Sequence, residues 1–240
     1  ANAPLSDAVS ELFRMREHLP PNRRITEETL SSNTGAYSTA RSRLHPEIAE
    51  SVSDQVFQTL MDGSPPSWEG RRAFIMDGTT SALASLDELR REFPPAPNQH
   101  RPSAWPILHW AVAHELSSAC ALRPEIGAKY GPQAVGEVTL AIRMLPRLPL
   151  HSLVMADRNF GVFVFSHAAQ AAGHDVVTRL TEARFKSLVK QARPLGPGRW
   201  ELAWKPSRKE RRKHPELPAD ACVNVELHEV QGTDAKGQPL

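Results

Sequence analysis

Two aspartates each close a short apolar run: Ile75-Met76-Asp77-Gly78-Thr79-Thr80 and Val154-Met155-Ala156-Asp157-Arg158-Asn159. The end of a strand lifts a carboxylate clear of its sheet at a defined point. Two such ends on neighbouring strands bring two carboxylates within reach of one hard cation. Mg²⁺ is ordinarily held by one or two carboxylates together with water and phosphate oxygens. Two metals roughly 4 Å apart activate a nucleophile and stabilise the leaving oxygen of a phosphodiester. Each aspartate also has a plainer use. Asp-Gly is a common turn dipeptide, and Asp157 stands where it could N-cap a helix entered near Phe160. The residues alone leave both uses open.

Other groups bear on the same chemistry. Lys205, Arg208, Lys209, Arg211, Arg212, Lys213 and His214 form the densest run of positive charge in the chain. On a projecting element it would neutralise DNA phosphates and make binding fall steeply with salt. As an ordinary solvated loop between Pro206 and Pro215 it needs no partner. Trp200 and Trp204 precede it at period-two spacing, suited to core packing or to stacking on an unpaired base. Arg158 could touch a phosphate or only water, and Glu137 could face the aspartates or solvent. His109 and His114 are five apart, which fits no helical zinc pair. Neither a phosphate-cradling GxxxxGK[ST] loop, nor a GxGxxG after a strand, nor a Gly-x-Ser-x-Gly elbow is present. Nucleotide hydrolysis, dinucleotide redox chemistry and serine hydrolysis are disfavoured.

The elements that must position these groups follow from periodicity. Residues 5–18 place Leu5, Val9, Leu12, Phe13 and Met15 on one helical stripe, and a short helical piece fits 25–30. Helices are expected over 36–44 and 45–61, the second with Pro46 in its first turn. Asp62-Gly63-Ser64-Pro65-Pro66 is a loop, so 1–62 reads as a helical N-terminal module. Strands are expected over 72–78, ending at the Asp-Gly, and over 107–112 and 117–122. Then come a helix over 133–145, a strand over 152–156, a helix over 161–172 and a strand over 175–180. Three strands followed by helix, strand, helix, strand make an α/β mixed sheet with flanking helices over 70–183. Beyond 184 strand-and-turn text predominates, and 184–240 reads as a β-rich insertion.

Composition agrees with a globular chain. The 240 residues hold 29 Lys+Arg and 27 Asp+Glu, so the net charge of +2 provides no global field, and any nucleic-acid surface must be local. Cys120 and Cys222 cannot build a disulfide framework, which favours a reducing compartment. No apolar run approaches the roughly 20 residues of a membrane span, and no membrane role is expected. Ala1 is not an initiator and the last residues (QGTDAKGQPL) form turn-like text, so the chain is expected to be a fragment truncated at its C-terminus.

Three segments, Asp77-Gly78-Thr79-Thr80, Gly136-Glu137 and Ala156-Asp157-Arg158-Asn159-Phe160-Gly161, resemble the DDE transposases of bacterial insertion sequences. The group in question is the insertion-sequence-four-like one, in which a β-rich insertion interrupts a ribonuclease H-like core. Ser32-Asn33-Thr34-Gly35-Ala36-Tyr37 and Ala40-Arg41-Ser42-Arg43-Leu44 resemble the segment that precedes that core. The resemblance spans about residues 25–230. It implies Asp77 and Asp157 as the first and second catalytic acids, ligating Mg²⁺ or Mn²⁺. It also implies DNA contact by Arg158 and by the cluster Lys205, Arg208, Lys209, Arg211, Arg212 and Lys213.

The implied reaction hydrolyses a phosphodiester at the transposon end and joins the freed 3′-hydroxyl to target DNA. Its expected setting is a homodimer on DNA in a bacterial cytoplasm, associated with the nucleoid. The family's third acid is a glutamate in a tyrosine-led pattern downstream of the insertion. Here the tyrosines, Tyr37 and Tyr130, both precede Asp157, so that pattern is absent and the fragment is expected to be inactive alone. A non-catalytic DNA-binding remnant and a nuclease on the same fold are the alternatives.

Overall fold

The computed structural model describes residues 35–66, 68–97, 105–230 and 232. Helices α1 (Gly35–Arg43), α2 (Pro46–Gly63) and α3 (Asp87–Glu92) are followed by α4 (Glu137–Met144) and α5 (Phe163–Ala171). α6 (Glu182–Val189) and α7 (Arg208–Lys213) complete the set. The strands are β1 (Ala73–Ala82), β2 (Ile107–Glu115), β3 (Glu125–Ala128), β4 (Leu153–Ala156) and β5 (Asp175–Thr178), then β6 (Arg193–Gly196), β7 (Arg199–Trp204) and β8 (Val223–His228). The chain divides into two units, Ala1–Val52 and Ser53–Leu240. The division falls within α2 and not in the loop after it. The expected helices over 5–18 and 25–30 lie outside the described residues.

Within the larger unit, five strands form one sheet in the order β3-β2-β1-β4-β5. β1, β2 and β3 pair antiparallel, while β1, β4 and β5 pair parallel. Strand side chains alternate between faces, and β1 shows what that does to burial. Phe74 and Met76 are buried, whereas Ile75 between them is 45% exposed and Asp77 is exposed. On the buried face Phe74, Met76, Ala111, Ala113 and Val154 pack with Leu140, Ala141 and Met144 of α4 and Phe165 and Ala169 of α5. Phe57 and Met61, four apart on α2, join the same core, and the Phe57 ring lies 6.2 Å from that of Phe74.

Arg72, just before β1, ties the end of α2 to the sheet. Its guanidinium donates to the carbonyls of Pro65 (3.0 Å), Ser64 (2.5 Å) and Met61 and to Ser64 Oγ (3.3 Å). The last carbonyls of a helix have no partner inside it, so a side-chain cation placed there satisfies them and opposes the negative end of the helix dipole.

Beyond the sheet, β6, β7 and β8 form a three-stranded antiparallel sheet. Its own core joins Leu188, Trp204, Ala221, Val223 and Leu227 to Phe163 of α5. The Trp204 ring meets Phe163 edge-on at 5.6 Å, and Trp200 meets Phe185 of α6 in the same way at 5.6 Å.

Several expected elements are corrected. β1 does not stop at Asp77-Gly78 but runs on to Ala82, because Asp77 to Ala82 pair in register with Val112 to Ile107 of β2. β2 continues through His114 and Glu115, and the strand expected over 117–122 is a turn joined to the ladder by the single bridge His114↔Ala121. The third strand is β3. The helix expected over 133–145 is shorter, ending in a single 3₁₀ turn at Leu145–Arg147. The text beyond 184 is not purely β, since it contains most of α6 and all of α7.

Replacing Arg72 by Met, which keeps the stem and removes the donors, should cost about 2 kcal/mol, in the range for hydrogen bonds from a charged group. Urea unfolding at constant m-value measures it. A loss under about 0.5 kcal/mol, the scale of an ordinary surface change, would show that the guanidinium does not hold the helix end.

Candidate active site

The parallel ladder between β1 and β4 runs from Ala73↔Leu153 to Met76↔Ala156. Asp77 and Asp157 are the next residues on these two strands. Neighbouring strands lie about 4.8 Å apart, and residues paired in parallel register share a face. Ile75 pairs with Met155, and by alternation Asp77 and Asp157 project from that face, opposite Phe74 and Val154. Both aspartates are exposed and both line one cleft of about 1480 Å³. Its floor is the apolar row Ile75, Met155 and Val177, and β8 supplies part of its wall.

Neither plainer use of the aspartates is realised as the sequence suggested. Asp77 makes no turn, since β1 continues through it. Its Oδ1 accepts the Gly78 backbone N–H at 2.8 Å. Asp157 does not cap α5, whose N-cap is Val162 with no side-chain bond. Instead Asp157 Oδ1 accepts the Asn159 N–H at 2.7 Å, closing a tight turn directly after β4. In each case one carboxylate oxygen is fixed by local backbone. Among the described residues no hydrogen bond to the second oxygen is formed.

The other cleft acids are differently placed. Asp175 pairs with Arg71 at 2.8 Å and Glu226 with Arg199 at 3.2 Å. Lys186, by its hydrogen bond first and its charge second, holds the Glu182 carboxyl below the usual carboxylate range. Arg179, just past β5, also lines the cleft. Sequence reasoning passed over it, and its one signal was its place directly after a strand.

Glu137 opens α4 and is half-buried. Its side chain lies over Gly78, so closely that a β-carbon there would come within 2.4 Å of Glu137 Oε1. Gly78 faces away from the side of Asp77 by strand alternation. Among the described residues no group of three or more His, Cys, Asp or Glu is arranged to hold a metal. Two carboxylates, each with an oxygen turned to an open cleft, suit Mg²⁺, which retains several waters.

The turn after β4 is held from outside. Arg184 Nη1 donates to the Gly161 carbonyl at 2.6 Å. A β-carbon on Gly161 would stand 2.4 Å from the Arg179 carbonyl oxygen. The glycine in Asn159-Phe160-Gly161 thus permits backbone contact with the end of β5. Arg158 is exposed on this turn and is outside the cleft lining.

The basic cluster is not the loop its flanking prolines suggested. Residues 208–213 form α7, closed by a capping box in which Ser207 Oγ accepts from Glu210 N and Glu210 Oε2 from Ser207 N. Lys205, Arg208, Lys209, Arg212 and Lys213 are exposed. Arg211 is turned inward, donating to the carbonyls of Pro218 and Ala219, each at 2.9 Å. None of these cations lines the cleft. His109 is buried with Nδ1 2.7 Å from the Val135 carbonyl, as a structural histidine. Burial first, and Glu115 second, push the Cys120 thiol up, which opposes thiolate chemistry there.

Gly161→Ala should destabilise the fold by about 1–3 kcal/mol, the usual cost of overpacking, because the obstructing atom is backbone and cannot rotate away. Gly63→Ala meets open space and should stay within about 0.5 kcal/mol. Denaturant midpoints of the two variants test the contrast, and equal effects would refute it.

No protein-family model and no curated protein matches the chain. Among solved structures it is similar to the crystal structure of NurA with manganese, at 10% identity and TM-score 0.16, covering 72% of this chain and 54% of that one. It is also similar to the crystal structure of NurA, at 11% identity and TM-score 0.18, covering 80% and 59%. A third, NurA bound to dAMP and manganese, stands at 10% identity and TM-score 0.15, covering 84% and 59%. The chain therefore spans somewhat over half the length of these proteins, and likenesses this slight carry no argument about fold or activity.

Proposed function

We propose that Asp77 and Asp157 bind a divalent cation, Mg²⁺ or Mn²⁺, and that the chain is part of a DDE transposase acting on DNA phosphodiesters. The observation that supports this most is the register Met76↔Ala156, which brings the two acids to successive positions on adjacent parallel strands and into one cleft. The strand order, with three antiparallel strands and two further parallel ones, supports reading 70–183 as a ribonuclease H-like core and 184–240 as its insertion.

A cation held there would supply Lewis acidity to a phosphoryl oxygen. The protein's own part is to aim two carboxylates into one cleft, Asp77 from within β1 and Asp157 from the turn directly after β4, with Arg158 exposed on that turn for a phosphate. The third acid, the partner copy on DNA and the bacterial, nucleoid-associated setting belong to the same proposal. Among the described residues no helix is long and apolar enough to cross a membrane. That, among the described residues, no three His, Cys, Asp or Glu are grouped to hold a metal is the observation that favours the second reading, a DNA-binding remnant without catalysis.

Paramagnetic broadening of amide resonances by Mn²⁺ tests the site directly. Gly78, Thr79, Arg158 and Asn159 should broaden first, and Asp77→Asn or Asp157→Asn should each weaken the effect. Loss of an outer partner of a metal site already costs roughly 10–100-fold in affinity, and loss of a ligand should cost at least as much. Broadening centred elsewhere, or surviving in the double variant, would refute the site. Nicking of supercoiled plasmid in Mg²⁺ should give no product with these 240 residues. Nicking that Asp77→Asn abolishes would instead favour a self-sufficient nuclease.

A further inference from the structure

We infer that the outward face of α7 is a binding surface for the phosphate backbone of duplex DNA, used without reading sequence. The inference rests on DNA being the substrate, as proposed above, and concerns a surface separate from the paired aspartates.

The argument begins with helix geometry. At about 100° per residue, Arg208, Arg212, Lys209 and Lys213 fall within an arc of about 140°, while Glu210 and Arg211 lie on the other side. Burial agrees: the first four are exposed and the last two half-buried. The inward side is occupied, Glu210 by the capping box and Arg211 by the carbonyls of Pro218 and Ala219. The six-residue helix therefore presents four cations on one face, and exposed Lys205 stands just before it. The nearby acids lie off the helix: Glu216 bonds His214 at 3.0 Å, and Asp220 is in the loop beyond.

The neighbourhood then selects among polyanions. α7 (Arg208–Lys213) contains no apolar residue, so it has nothing to insert into a lipid interface. Single strands are usually gripped by aromatic stacking as well as charge, but the aromatic faces close to α7 are committed: Trp204 packs against Phe163 and Trp200 against Phe185. What is left is contact by charge alone, over a length of about 7.5 Å along the helix. That suits the regular, closely spaced phosphates of a duplex, which carries about one charge per 1.7 Å of axis.

The test is fluorescence anisotropy with two unrelated 20-base-pair duplexes, from about 50 to 200 mM salt, in EDTA so that no divalent ion serves the aspartates. Binding should be equal for the two sequences. Its log–log salt slope should shrink by about 0.9 for each cation removed, as in Lys209→Gln or Arg212→Gln, and by about 3.6 in the Arg208, Lys209, Arg212 and Lys213 quadruple Gln variant. Circular dichroism and urea midpoints of the single variants show that the fold is kept.

An unchanged slope in the quadruple variant overturns the inference, as does a preference for anionic vesicles or for oligo(dT) over duplex. Duplex binding that survives Asp77→Asn/Asp157→Asn while Mn²⁺ broadening at Gly78 is lost supports both readings together. Slope loss at α7 with no Mn²⁺ site at the aspartates supports the surface and refutes the catalytic proposal alone.

Discussion

The parallel pairing of β1 with β4 is the constraint on which the rest of the molecule depends. Side chains alternate with a period of two, so a shift of one residue would exchange the faces completely. Phe74, Met76 and Val154, each at most 1% exposed, make such a shift expensive. Fully burying a side chain of this size stabilises by about 1.5–3 kcal/mol, and a slip of β1 would turn Phe74 and Met76 outward together, as a slip of β4 would Val154. The same packing that buries Phe74 and Met76 therefore commits Ile75 and Asp77 to the opposite face. The orientation of the aspartates is a by-product of core formation, and their own electrostatics have no part in choosing it.

Packing also couples the smaller sheet to this arrangement. Phe163 is fully buried and begins α5, the helix that returns the chain from β4 to β5. Its ring meets Trp204 of β7 in the smaller sheet's core, while Phe165 and Ala169 of the same helix pack in the core of the larger sheet. One side chain thus belongs to the element that follows Asp157 and to the core beneath β8, and the cleft wall and the aspartate turn share a support. Gly161 and Arg184 add a second tie between that turn and α6. Preorganisation of this kind holds two like charges, one within β1 and one directly after β4, in a fixed relation, which a flexible loop could not do.

Much of this was legible in the sequence wherever a pattern was long or amphipathic. α2 shows helical spacing from Pro46 on, and the apolar run before Asp157 could hardly be other than a strand. The failures each have a physical cause. Asp77-Gly78 has strong turn chemistry, but a turn there would forfeit the ladder that Asp77 to Ala82 make with β2, and the ladder prevails. The apolar text after Glu115 suggested a strand, yet Oε2 of the buried Glu115 accepts from the N–H and hydroxyl groups of Ser117 and Ser118 at 2.7–3.0 Å. A carboxylate with no access to water requires such donors, and wrapping the chain around it converts the segment to a turn. α7 was hidden by its flanking prolines, although Ser207-x-x-Glu210 is the sequence form of a capping box. Glu137 stays open in the sequence between the aspartates and solvent because nothing in a one-dimensional pattern reports that Gly78 leaves room for it.

The distribution of charge carries the final step. With 29 basic and 27 acidic side chains, the chain exerts almost no net pull on a polyanion. At physiological salt the screening length is about 8 Å, so each surface acts through what lies within a turn or two of helix. An uncompensated carboxylate pair repels phosphate on approach, and a four-cation helix face attracts it. Were the two mixed, each would neutralise the other as an ion pair and neither chemistry would survive. The structure keeps them apart: the cations sit on a short capped helix beyond β7, and the aspartates line the cleft from β1 and from the turn after β4. Segregation of this kind allows one nearly neutral chain to hold an anion at one place and present carboxylates to a cation at another.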